Sequence, residues 1–207
     1  MSKTRLEAFS DGVIAILITI MVLELRAPHG ADWNALRPVV PSLLTYLLSF
    51  VFLGIYWNNH HHLLQATDRI NGATLWANLH LLFWLSLVPF VTSWMGENHF
   101  DAAPAAAYGV VLLGCALAFQ ILLMTILRAQ HGQNQRLAMA VGSDYKGKLS
   151  LVCYVVAVPL AFVHRTIAEL LYVAIALVWL VPDSRIESKL NATQSVETSV
   201  GPRESEY

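Results

Sequence analysis

Long apolar runs separated by short polar segments dominate the chain. Six of these runs predict membrane-spanning helices: Leu6 to Leu25, Val39 to Trp57, Leu75 to Trp94, Ala105 to Leu127, Leu149 to Val163 and Ile167 to Val181. Roughly 20 apolar residues in a helix cross the ~30 Å hydrocarbon core of a bilayer. No run shows the strict alternation of a barrel strand, so helices are the spanning elements. The last two runs are short, and His164-Arg165-Thr166 joins them too tightly for anything but a helical hairpin. The pattern therefore predicts an all-α, polytopic domain over residues 1–183. Beyond it, residues 184–207 are polar and rich in Ser, Thr and Glu. They hold too little apolar surface to fold and are expected to be a disordered cytoplasmic tail. On such a tail the Asn191-Ala192-Thr193 triplet carries no glycosylation meaning.

Composition agrees with a membrane class. Apolar residues make up 56% of the chain and charged residues 13%, against about 25% charged in soluble domains. With the N-terminus inside, the inner segments hold Lys3, Arg5, Arg69, Arg128, Arg136, Lys146, Lys148, Arg185, Lys189 and Arg203. The outer segments hold only Arg26, Arg37 and Arg165. This bias predicts both termini in the cytoplasm of a multi-pass cell-membrane protein. Trp33, Trp57, Trp76, Trp94 and Trp179 sit near span ends, where indole rings anchor at the interface. A net charge of −1 offers no basic face for nucleic acid. Cys115 and Cys153 both fall within spans and are read as packing residues, not as a disulfide or metal pair. Lys3 and Arg5 resemble the start of a signal peptide, but Glu7, Ser10 and Asp11 interrupt the apolar run behind them, and that run ends in no small-x-small cleavage site.

The first span is the unusual one. Arg5, Glu7, Ser10, Asp11, Thr19, Glu24 and Arg26 lie in or beside an apolar helix. Ionisable groups at membrane depth are costly and usually face protein or water. At 100° per residue, Arg5, Ala8, Asp11, Gly12, Ala15, Ile16, Thr19, Val22, Leu23 and Arg26 share an arc of roughly 140°. Val13, Ile14, Leu17, Ile18, Met21 and Leu25 fall outside it. Two readings stand side by side. Either Arg5, Ser10 and Asp11 sit at headgroup level, where charge costs little, or the arc faces a water-filled axis or a polar seam. Ile16, Ile20 and Leu23, spaced by four and three, fit plain packing as well as a constriction.

The string Arg5-Leu6-Glu7-Ala8-Phe9-Ser10-Asp11-Gly12-Val13-Ile14-Ala15-Ile16, followed by Thr19 and Leu23-Glu24, resembles the first-helix signature of the transmembrane protein 175 family of potassium channels. Trp57-Asn58-Asn59-His60-His61 resembles that family's second-helix end, Asn78 and Pro89-Phe90-x-Thr92 its third helix, and Trp179-x-x-Pro182-Asp183 its C-terminal end. The likeness spans Arg5 to Asp183. It implies a homotetramer of six-helix subunits whose first helices line a potassium-preferring leak pore; animal members carry two repeats and dimerise. It also implies an apolar constriction at Ile16, with further rings at Ile20 and Leu23, and a hydroxyl ring at Thr19 that contributes to cation preference. Arg5, Ser10 and Asp11 then belong to a structural polar network, with His60, His61, Asn78 or His80 as partners. Potassium is the permeant ion, held only transiently near Ile16 and Thr19. No cofactor and no stable metal are implied, and the partners are further copies of the chain and membrane lipid.

Other functions fit less well. His60, His61 and His62 suggest zinc or nickel, but consecutive residues point to different helix faces. No H-E-x-x-H, C-x-x-C, P-loop or G-x-S-x-G string provides enzyme chemistry. No helix repeats arginine every third residue, and no T-V-G-Y-G loop exists, which argues against a voltage-gated channel. A cation- or proton-coupled secondary transporter is the alternative, although no internal repeat is visible; Pro89 and Pro159 are the positions that would break helices.

Overall fold

The computed structural model describes residues 2–67, 70–129 and 145–180. All regular structure among them is helical: α1 (Lys3–Leu23), a 3₁₀ segment (Trp33–Val39), α2 (Val40–Gln65), α3 (Gly72–Ser86), α4 (Val88–Glu97), α5 (Ala102–Ala129), α6 (Tyr145–Leu160) and α7 (Arg165–Leu180). With α3 and α4 taken as one broken span, six membrane crossings result, as the apolar pattern predicts. Four segments, Lys3–Leu23, Trp33–Gln65, Gly72–Glu97 and Ala102–Ala129, are long and apolar enough to cross a membrane. The remaining two, α6 and α7, have 16 residues each, about 24 Å of helix, and form the expected hairpin. Arg69, Arg136, Pro182, Asp183 and the tail 184–207 lie outside the described residues.

Three boundaries depart from the hydropathy pattern. The second helix runs two turns past Trp57 and carries the histidine run inside it, ending at Gln65. Polar residues stop an apolar run but not a helix, and the Lys3 ammonium caps this one by donating to the Gln65 carbonyl at 2.8 Å. The third span breaks at Leu87, where the Leu87 N–H turns back to the Trp84 carbonyl. Pro89, two residues on, has no N–H to give the Leu85 carbonyl. Between α1 and α2 the chain forms the 3₁₀ segment, begun by Asp32, whose carboxylate accepts from the Ala35 N–H at 3.2 Å.

α1 packs on α2, α3 and α4. Behind them, α5 packs on α3, α4 and α6, and α6 pairs with α7. The chain thus has an inner layer containing α1 and an outer layer of α5–α7. The outer layer closes around three fully buried tyrosines, Tyr108, Tyr154 and Tyr172. The Tyr108 hydroxyl meets Ser49 Oγ at 2.9 Å, Ser49 meets Thr92 at 2.6 Å, and Tyr172 donates to the Ala105 carbonyl at 3.1 Å. Hydroxyls in a dry core are therefore matched with each other or with the backbone. Gly109 leaves the space that Tyr172 fills, and Gly114 the space for the Trp84 ring; a Cβ at either would overlap its neighbour.

Candidate functional site

The helical period of α1 divides it into two faces. Leu6, Ser10, Ile14, Leu17 and Met21 are buried against the inner layer. Opposite them, Arg5, Ala8, Phe9, Gly12, Ala15, Ile16, Thr19, Ile20, Val22, Leu23 and Arg26 are exposed on the subunit. Ile16 is 58% exposed, Ile20 39% and Leu23 81%. Against the arc expected from the sequence, Phe9 and Ile20 are added and Asp11, half-buried beside Trp57, is lost. A Cβ added at Gly12 meets nothing within 4 Å, so the face is also open at its narrowest side chain. On the same face the Thr19 hydroxyl donates to the Ile16 carbonyl at 2.8 Å. Its proton is committed to the backbone, so the hydroxyl oxygen presents lone pairs outward.

A polar anchor fixes the other side of α1 near its N-terminus. Ser10 Oγ donates to the Leu6 carbonyl at 2.9 Å and accepts from Asn78 Nδ2 at 2.9 Å. Asn78 Oδ1 lies 2.7 Å from His60 Nε2. These contacts set the donor directions: Ser10 has spent its proton, so Asn78 turns its amide nitrogen to Ser10 and its oxygen to histidine. His60 is then the Nε2–H tautomer. All three side chains are fully buried, and His60 Nδ1 has no hydrogen-bond partner among the described residues. One helical face further round, Trp57 Nε1 donates to Asp11 Oδ1 at 3.0 Å. His61 stacks on Trp57 with ring centroids 5.8 Å apart and holds Nδ1 3.3 Å from Glu7 Oε1. Two strands of polar contact thus tie α1 to α2, one through α3 and one directly.

The residues expected in one network are not all in this anchor. Ser10, Asn78 and His60 form one part of it, and Asp11 and His61 the other. Arg5 is exposed and makes no ion pair with Asp11 among the described residues. Six residues on a helix separate the two by about 9 Å of rise and 120° of rotation. His80 turns away and accepts from Trp84 Nε1 at 3.1 Å within its own stretch of helix. Two contributors were not expected from the sequence. Glu7 is a charge on the flank of the arc, and Trp57 has the position of an interfacial anchor; their spacing of four from Asp11 and His61 was the available signal.

At the opposite end of α1, Glu24, Arg26, Thr45, Thr92, Ser93 and Glu97 border a recess of about 330 Å³. Arg26 lies 3.6 Å from Glu97, and Ser93 Oγ reaches Glu24 Oε2 at 3.5 Å. Among the described residues no group of three or more His, Cys, Asp or Glu has the geometry to hold a metal ion. His62 meets the edge of the His61 ring.

Residues 5–89 match the family model described as endosomal/lysosomal potassium channel TMEM175. A potassium channel of Chryseobacterium sp. (strain P1-3) is 51% identical over 190 residues, covering 92% of this chain and 98% of the relative. A potassium channel of Streptomyces collinus is 35% identical over 169 residues, covering 77% of this chain and 82% of the relative. Among solved structures, the crystal structure of a lysosomal potassium-selective channel TMEM175 homolog from Chamaesiphon minutus superposes with a TM-score of 0.71 at 26% identity, covering 86% of this chain and 96% of that one. With the resemblance covering 98% of one bacterial relative and 82% of another, the chain is a member of the TMEM175 family of multi-pass membrane channels.

Proposed function

We propose that the chain is one subunit of a homotetrameric, potassium-preferring leak channel in the cell membrane, with both termini in the cytoplasm. The observation that carries this is the exposed face of α1. A transmembrane helix that leaves Arg5, Gly12, Ala15 and Thr19 uncovered has no reason to turn that face to lipid. One subunit cannot enclose an aqueous path with a single helix, and closed symmetry is the usual way to complete one. Four copies bring four such faces around one axis, with rings of Ile16, Ile20 and Leu23. Isoleucine offers no ligand to replace an ion's hydration shell, so an Ile16 ring blocks by dewetting and conducts when widened. The outward lone pairs of Thr19, one turn beyond Ile16, are the nearest oxygen ligands a partly dehydrated potassium ion meets. Ser10, Asn78, His60, Asp11 and His61 serve structure: they hold α1 at fixed rotation so that its apolar ring faces the axis.

The test is unitary current in planar bilayers with potassium on one side and sodium on the other. Wild-type protein is expected to give discrete openings and a reversal potential displaced toward potassium. Ile16→Asn wets the constriction, so current rises and discrimination weakens. Thr19→Ala lowers discrimination with a smaller change in current. Wild-type current and selectivity in a well-assembled Ile16→Asn protein would make Ile16 a packing residue.

A further inference from the structure

The outer layer carries a feature that conduction does not use. Along α5, Leu117, Ile121 and Met124 are exposed at spacings of four and three, and four residues on the same face ends in exposed Arg128. Along α6, Val155 and Val152 are exposed, and the same face ends, toward the helix start, in exposed Lys148 and Tyr145. Gly109 near the start of α5 lies against Val158 near the end of α6, so the two helices run in opposite directions and both charged ends lie at one end of the bundle. It is the end that holds Lys3 and the α1 N-terminus, because Lys3 reaches the end of α2 and α3 starts beside it. Neighbouring Lys146 stands 6.0 Å over the Trp179 ring, whose Nε1 donates to Ser150 at 2.9 Å. Trp179 and Tyr145 thus give this end the aromatic rim of a headgroup layer.

Charge separates the two ends of the outer layer. At the far end Arg165 is neutralised by Asp101 at 3.0 Å, as Arg26 is by Glu97 in the inner layer. At the near end neither Arg128 nor Lys148 has a carboxylate within 4 Å among the described residues. Each is a positive head at the end of an apolar stripe on a membrane-spanning helix. Long basic side chains at such positions reach to the interface. We infer that the paired ends of α5 and α6 form a binding site for an acidic phospholipid of the adjoining leaflet: its acyl chains lie along the Leu117–Met124 and Val152–Val155 stripes, and its phosphate sits between Arg128 and Lys148. The inference needs the chain to be membrane-embedded but not to conduct, so a binding readout tests it independently of the channel reading.

The experiment uses the full chain, purified and stripped of lipid in a mild detergent. Phosphatidylglycerol and phosphatidylcholine with identical acyl chains are titrated in, and lipid-bound species are counted by native mass spectrometry alongside the melting temperature. Wild-type protein is expected to retain phosphatidylglycerol preferentially and to melt higher with it. Arg128→Gln with Lys148→Gln should weaken that lipid by about tenfold or more, since each basic residue near a surface contributes on the order of a fivefold factor. Arg128→Lys with Lys148→Arg should restore it. Arg37→Gln, at the opposite end, should leave the preference intact. Equal retention by the double Gln variant, or an equal loss in Arg37→Gln, overturns the site. A melting shift with soluble glycerol phosphate matching that with phosphatidylglycerol overturns the lipid assignment in favour of a free-anion site.

Discussion

At the residue scale, Asn78 is the side chain on which the anchor of α1 turns. It is the only member whose two polar atoms face two different helices, accepting from His60 on α2 and donating to Ser10 on α1. Leucine keeps the same branched heavy-atom skeleton, is bulkier, and makes neither bond. Asn78→Leu should therefore leave the His60 N–H buried and unmatched, at about 1–3 kcal/mol per stranded group, and at the lower end of that range if the membrane-embedded unfolded state finds substitutes. Thermal unfolding in detergent is expected to shift down, while Ser10→Ala, which leaves a weaker amide donor stranded, shifts it less. An Asn78→Leu protein as stable as wild type would remove the relay from the structural account. The candidate site was partly legible at this scale. The charges and the asparagine stood out because polar groups in an apolar run demand partners. Which partner each takes was not legible: Arg5 and Asp11 look like a pair by charge, yet the helix turns them 120° apart and Asp11 is met by Trp57 instead.

At the element scale, α5 is the helix that cannot give way. It meets α3, α4 and α6 together and does so through small residues at its contacts. Gly109 admits the Tyr172 hydroxyl and Gly114 the Trp84 ring. Gly109→Ala gains helix propensity of about 1 kcal/mol but overpacks a site already filled, at about 1–3 kcal/mol. The overlap is with a tyrosine locked by its bond to the Ala105 carbonyl, so overpacking wins. A lower melting temperature is expected, and a second change, Tyr172→Phe, should recover part of it by removing the clashing oxygen. If Gly109→Ala instead melts higher, α5 and α7 do not approach closely enough for the overlap to matter. The long apolar runs made the existence of these helices legible, because crossing a bilayer requires them. They left out what is set by contacts beyond the run: the continuation of α2 through His60–His62, which tertiary partners hold in place, and the 3₁₀ entry to α2, which is neither long nor continuously apolar. The break at Leu87 was legible only in that Pro89 lacks a donor; where the turn falls depends on the Trp84 carbonyl that receives it.

At the scale of the whole molecule the decisive issue is what covers the exposed face of α1. Lipid, a neighbouring helix and a water-filled axis make different demands on side-chain size, and Gly12 separates them. Within the subunit a side chain at this position meets open space, so Gly12→Phe strains nothing in the fold and replaces the poorest helix former but proline. If the face looks to lipid, a phenylalanine there is harmless to folding and to flux alike. If it packs against another subunit's helix, the added ring prevents assembly, and mass measurement in detergent records a smaller species. If it lines the axis of a ring, four phenylalanines fill the space above the Ile16 ring while the outer contacts of each subunit are untouched. The expected outcome is therefore a protein of wild-type mass and wild-type or higher melting temperature that has lost potassium flux into liposomes. Gly12→Ala should keep most of the flux, since four added methyl groups leave a path for water. Full flux through an assembled Gly12→Phe protein would mean that ions cross the membrane somewhere other than along α1.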